Sequence, residues 1–274
     1  MNDYKRVLLV VLGAILLLPV GFAAKGAIDA GGEKNARMYN TAIQATEQDR
    51  FNYAIDSHQG KLIGSGEFKP TQLVKFPEMN KAYAAVDKTK EEYTMHTREV
   101  CTDTYDAEGN VTGESCHTET YYTWDDAGTE SQETPTYKLH NRDYPASLFN
   151  TGVFSQRSDC NEFMGAGSDG GWFGDANGCT GGYYYTDGDT RYEYHTIAAE
   201  GFSAAFIADV SNGKLDPLGG SFISLERKSV EQMVKDANNY HVPGIIFIVF
   251  WWIVILGAMG AVAYQWSLSD GRWE

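Results

Sequence analysis

Apolar residues in this chain gather into two unbroken blocks near its ends, separated by a long stretch where apolar and polar positions alternate. The first block, Val7 to Ala24, has 18 residues without a charge and follows Lys5 and Arg6. At about 1.5 Å per residue it nearly crosses a hydrocarbon layer of about 30 Å. Continuation through Lys25, whose amine can reach the interface, to Ala27 completes a span over 7–27. A basic start, an apolar run and small residues at Gly21 and Ala23 also describe a cleaved signal peptide. The apolar run is long for that role and Phe22 sits badly for a cut after Ala24, so a retained helix is expected. The second block, Val242 to Tyr264, has 23 residues without a charge and predicts a membrane helix over 242–264. Trp251 and Trp252 fall near its middle and should face lipid or another helix, whereas Tyr240, Tyr264, Trp266 and Trp273 suit the interfacial belts. Gly257, Gly260 and Ala261 make a small-residue face that would let another helix approach closely.

Between the blocks the period changes to two. Residues 93–105 and 111–124, rich in Thr, Tyr and Val, flank Asp106–Asn110 and predict a β-hairpin. Centring the turn on Glu108-Gly109 makes partner positions sum to 217 and sets Cys101 opposite Cys116. Residues 183–198 place Asp187-Gly188 between two aromatic runs, a second hairpin. Residues 201–218 read as a strand, an Asn212-Gly213 turn and another strand, and 50–68 as two strands around Gln59-Gly60. Seven or more strands favour an antiparallel sandwich or open barrel, a mainly β domain over 28–241 flanked by the two spans. Helical spacing at Ala36, Tyr39, Ala42, Ile43 and Thr46 predicts a flanking helix over 33–48. Val230, Met233, Val234 and Ala237 predict another over 226–240. No internal repeat or low-complexity linker interrupts the domain.

Flanking charge sets an expected orientation. Lys5 and Arg6 before the first span and Arg272 after the second place tails 1–6 and 265–274 in the cytoplasm and 28–241 outside. All four cysteines, Cys101, Cys116, Cys160 and Cys179, lie in that outer segment, where disulfides form. With Cys101 facing Cys116, Cys160–Cys179 is left to close a glycine-rich loop.

Charge narrows the partners. The formal net charge is −15, and residues 25–241 hold 19 Lys and Arg against 34 Asp and Glu. That balance repels phosphate backbones, so nucleic acid is not an expected partner. The bilayer is, together with a protein partner or a second copy through the second span.

Candidate chemistry is sparse. The Cys160–Cys179 loop offers Trp172 and Phe173 as contact anchors. It also offers Asp169, Asp175 and Asn177, with Asp187 and Asp189 nearby, as oxygen ligands for calcium. Their spacing matches neither an EF-hand loop nor an RTX nonapeptide, and turns rich in Gly and Asp need no metal. No cofactor or metal is therefore expected. The six histidines show no zinc spacing, and Cys116-His117 are strand neighbours pointing to opposite faces. Hydrolase and P-loop fingerprints are missing from the sequence. Asp125-Asp126 is the carboxylate pair to inspect first, and an exposed turn is its expected setting.

Gly60-Lys61-Leu62, Glu91 to Met95 and Thr120 to Trp124 together resemble the lumenal region of the LUMA-type transmembrane protein family. The aromatic second span and the Arg272-Trp273-Glu274 tail are similar to those of uncharacterised two-span proteins of bacteria and their phages. The likeness covers about residues 58–150 and the C-terminus. It implies the two-span topology and no catalytic residue. The expected function is that of a non-enzymatic, membrane-anchored interaction or structural protein, a subunit of a larger envelope or virion-membrane assembly. A displayed domain that binds or senses a glycan or calcium is the alternative, and an extracytoplasmic hydrolase using carboxylates comes third.

Overall fold

The computed structural model describes residues 3–164 and 178–270. In chain order the elements are α1 (Asp3–Thr41), β1 (Ile43–Ala45), α2 (Gln48–Asp56), β2 (Lys61–Pro70), β3 (Ala85–Tyr105), β4 (Val111–Glu133), β5 (Thr136–Leu139), β6 (Arg142–Pro145), β7 (Phe149–Asn150), β8 (Gln156–Arg157), β9 (Gly178–Thr180), β10 (Tyr183–Asp187), β11 (Thr190–Ile197), β12 (Phe202–Asp209), β13 (Ile223–Glu226), α3 (Val230–Asn238) and α4 (His241–Asp270). The protein is mainly β, with two sheets, one curled into a half-barrel, and two long apolar helices. It divides into two compact units. One comprises Met1–Ser65, Ala205–Leu218 and Lys228–Glu274; the other comprises Gly66–Ala204 and Gly219–Arg227. β2 and β12 each have one end in each unit.

The first unit holds both candidate membrane spans, Ile15–Thr41 and His241–Val262. α1 runs unbroken to Thr41, so the span predicted over 7–27 and the helix predicted over 33–48 are one element of 39 residues. It stops short of 48 because Ala42 and Ile63 bury together with Ala205, Val230 and Met233, which draws Ile43–Ala45 into parallel pairing with Leu62–Gly64. Antiparallel packing of α1 on α4 relies on glycines on both helices. A Cβ on Gly21 would stand 2.3 Å from the Trp251 ring, and one on Gly32 would stand 2.5 Å from the Tyr240 Cβ. On α4, Gly244 leaves room for the Asp29 carboxylate, which is paired with Lys25. Trp251 Nε1 donates to the Leu17 carbonyl at 3.2 Å, while Trp252 is exposed. Gly257 and Gly260 have nothing within 4 Å of a built Cβ among the described residues, and Ala261 is exposed. The α1–α4 contact therefore leaves that small-residue face open.

Two other predictions are corrected in this unit. Residues 50–56, expected as a strand, belong to α2, because Phe51, Ala54 and Ile55 follow the i, i+3, i+4 spacing that buries one helical face. Phe51 meets Phe206 edge-on at 6.3 Å. After the Asn212-Gly213 turn the chain makes only the isolated bridge Asp209↔Asp216 instead of a second strand. The helix predicted over 226–240 forms over the shorter range of α3. It opens with a capping box in which Ser229 Oγ accepts from the Gln232 N–H and Gln232 Oε1 accepts from the Ser229 N–H.

The second unit contains two aromatic cores. In one, Phe68 meets Phe149 edge-on at 5.0 Å and stacks on Phe202 at 5.2 Å, and Phe202 stacks in turn on Phe154 at 4.1 Å. Around it lie β5 and β6, β7 and β13, and the parts of β2 and β12 in this unit, in sheet order β6-β5-β2-β12-β13-β7. β5 and β6 are joined by His140-Asn141, both with positive φ, a mirror-type tight turn that nothing in the sequence announced. The other core packs Phe76, Met79, Tyr83, Val86, Phe163, Tyr184 and Tyr194 against the sheet β4-β3-β11-β10-β9. Within it Lys88 pairs with Glu78 at 2.5 Å and lies over the Tyr192 ring at 4.3 Å. The β10–β11 hairpin forms as predicted, with Tyr184 opposite Tyr192 and Asp187 opposite Thr190.

Candidate functional site

The feature that stands out in the second unit is the β3–β4 hairpin. Its 21- and 23-residue strands pair along their whole length. From Ala85 to Glu92, β3 also pairs with β11 on its other side. From Tyr93 to Tyr105, among the described residues, its only strand partner is β4. At about 3.3 Å per residue this free ribbon extends roughly 40 Å beyond the sheet.

Local chemistry explains why so long a ribbon holds its register. At its root a bulge between Lys90 and Glu91 shifts the pairing, and Gly128 takes a φ of +117 that other residues avoid. At its tip the Asp106 carboxylate accepts from the backbone N–H of Glu108 at 3.0 Å and of Asn110 at 2.7 Å, and from Asn110 Nδ2 at 3.1 Å. These donors, Asn110 first, hold the Asp106 carboxyl below its usual range. Between bulge and tip the predicted register is the observed one, with Cys101 opposite Cys116 and the two sulfurs bonded. Cys160 and Cys179 form the second disulfide, as expected. An isolated two-stranded ribbon is marginal in water, so the Cys101–Cys116 link and the side-chain pairs along the ribbon hold it together.

Alternation gives the ribbon two unlike faces. On the inner face His96 Nε2 lies 2.6 Å from Asp125, the Thr94 and Thr123 hydroxyls donate to the same carboxylate, and Arg98 grips Glu119 through Nε and Nη2 at 3.1 and 2.8 Å. His117 adds a contact to Glu119 at 3.4 Å. Donation from Thr94 and Thr123, then from His96, holds the Asp125 carboxyl below its usual range. Asp125 therefore lies in a strand and a network, which corrects the exposed turn expected for Asp125-Asp126.

The outer face carries Tyr93, Met95, Thr97, Glu99, Cys101 and Asp103 from β3, opposite Trp124, Tyr122, Thr120, Thr118, Cys116 and Glu114 from β4. Tyr93 stacks on Tyr122 at 5.3 Å and tilts against Trp124 at 5.1 Å. Trp124 is seated at the root, with Arg191 4.3 Å above its ring and Tyr185 edge-on at 5.9 Å. Further out the apolar groups are bare: Met95 is 60% exposed, Tyr122 53% and Tyr93 42%.

The remaining candidates fare unequally. Trp172 and Phe173, and Asp169, Asp175 and Asn177 of the calcium set, lie outside the described residues. Glu99 sits near both Cys101 and Cys116, but those sulfurs are committed to their disulfide and are not ligands. A hollow of about 340 Å³ in the second unit is floored by Phe154 and Phe202, with Arg227 5.3 Å above the Phe154 ring. Sequence reasoning found the hairpin and its disulfide but missed its reach. The cue was there, since no proline interrupts the chain between Pro77 and Pro135.

No protein-family model, curated protein or solved structure matches this chain.

Proposed function

We propose that this is a membrane-anchored interaction or structural protein, a subunit of a larger envelope or virion-membrane assembly, which contacts its partners through the β3–β4 ribbon. The observation that carries the reading is the bare aromatic patch on a stapled ribbon extending from the sheet. A ribbon this long exposes backbone edges and apolar side chains to water, a cost that a monomer gains nothing from and an interface recovers. The two disulfides support an extracytoplasmic setting for the domain, with both tails in the cytoplasm. Resemblance to two-span proteins of bacteria and phages contributes topology alone. Native mass measurement in mild detergent should find the chain in a complex with itself or another protein. A monomer with nothing bound would sink the reading.

Display of a ligand-binding domain is the second reading, favoured by the Phe154–Phe202 hollow and its Arg227. Aromatic floors of this kind suit sugar rings or small carboxylates. Titration calorimetry with a glycan panel and with calcium should then register heat; a flat trace in every case would dispose of it.

A further inference from the structure

The ribbon's faces differ in charge as well as in polarity. On the inner face Arg98 pairs with Glu119, and Asp125 is hydrogen-bonded by the Thr94 and Thr123 hydroxyls and lies 2.6 Å from His96 Nε2. The outer face carries Glu99, Asp103 and Glu114, no cationic residue, and no ion pair to any of the three among the described residues. Moreover, Asp103 and Glu114 are directly opposed in the ladder. Like charges placed directly across an antiparallel pair destabilise it, and here they do so in the part of the ribbon with least support. Arg98, the one lysine or arginine between 93 and 124, is turned to the other face and held there by Glu119. The bare aromatic patch thus continues into a strip of uncompensated carboxylates on the same face.

Resting on the reading of the ribbon as a contact element, we propose that its outer face docks on another protein's surface that is apolar opposite Tyr93, Met95 and Tyr122 and rich in lysine or arginine opposite Glu99, Asp103 and Glu114. Strand geometry sets the spacing: the cationic groups begin about 13 Å from the apolar contact and extend to about 26 Å. Complementary charge orients such a partner, and the apolar contact supplies most of the affinity. A second copy of the ribbon meets this requirement poorly, since its own outer face has nothing cationic to offer. An anionic bilayer or a nucleic acid would be repelled.

The test uses the full chain in its native membranes, with a photo-crosslinking amino acid at Met95 or Thr118 on the outer face and at Thr102 on the inner face as control. The expected result is crosslinking from the two outer positions to Lys- or Arg-rich peptides of a different protein. The crosslink should fall about tenfold between about 50 and about 500 mM salt. Asp103→Lys with Glu114→Lys should abolish it, and reversing the charge of the crosslinked partner residues should restore it. Swapping the inner pair, Arg98→Glu with Glu119→Arg, should leave it unchanged. Crosslinks that survive the outer reversal, that reach only a second copy of this chain, or that reach only lipid would overturn the assignment. So would calcium at millimolar level replacing the partner in protecting the ribbon from hydrogen exchange, which would make the carboxylates a cation site. If no arm position crosslinks to anything, the contact role of the ribbon itself fails, an outcome distinct from crosslinking without charge dependence. A non-reducing gel showing the intact Cys101–Cys116 link checks that each variant has folded.

Discussion

Gly201 and Glu78 show how narrowly single positions are set. Gly201 has a φ of +86, and a Cβ there would stand 1.9 Å from the Phe68 carbonyl oxygen. Gly201→Ala should therefore cost about 1–3 kcal/mol or more, read as a lower midpoint in chemical unfolding. Glu78 presents a balance of opposed effects: burial pushes its carboxyl up, but hydrogen bonds from Lys88 and Tyr194 win and hold it below its usual range. Burial and the same Glu78 push the Tyr194 hydroxyl upward. Because the folded state favours the Glu78 carboxylate more than the unfolded chain does, its contribution is complete above the ordinary glutamate range and fades as pH falls through and below it. Glu78→Gln should destabilise the protein at pH 7 by about 1–3 kcal/mol, since Lys88 loses its ionic partner. Thermal melts should show that penalty shrinking in acid, and a penalty that is flat with pH would refute the account.

Elements in this protein are secured by devices that act over a few residues. The disulfide closes a short loop in the ribbon, and by chain-entropy reasoning such a link is worth about 3 kcal/mol. Replacing Cys101 and Cys116 by serine should speed amide exchange throughout 93–124 while exchange in β11 and β12 stays unchanged. For the helices, Gly21→Leu drives a side chain into the Trp251 indole and should weaken the α1–α4 contact by about 1–3 kcal/mol. Disulfide trapping between cysteines placed at Asp29 and Gly244, which leaves the Trp251 indole in place, would report the loss. At this scale the sequence was most legible where a period of two ran with clear turn residues, as in both hairpins. It misled in 50–56, where Phe51, Tyr53 and Ile55 alternate but Ala54 completes a helical face. The hairpin turn at His140-Asn141 left no composition cue, because its positive φ values fall on residues that adopt them less readily than glycine.

For the whole molecule, the two apolar helices, the pairing of the four cysteines and a mainly β fold were legible in the sequence. What it did not reveal was how charge is distributed: a net −15 says nothing of which carboxylates are answered, and only the register separates Asp125 and Glu119 from Asp103 and Glu114. The contact loop with Trp172 and Phe173 was nominated on composition, whereas the ribbon's bare patch depends on what β3 no longer pairs with beyond Glu92. Orientation is open to a direct measurement. Impermeant thiol reagents applied to intact membranes should label the four cysteines only after reduction and only from outside. Labelling from the cytoplasmic side without reductant would reverse the topology.

The bulge at Lys90/Glu91 and the link at Cys101–Cys116 together fix two points along one ladder. Between them, deletion of one residue from one strand would turn that strand's side chains beyond it to the opposite face, setting them against the unchanged face of the other strand. Homologous arms can therefore change length there only in matched steps of two residues on each strand. Across related chains, the reach of this arm should be quantised in increments of about 7 Å.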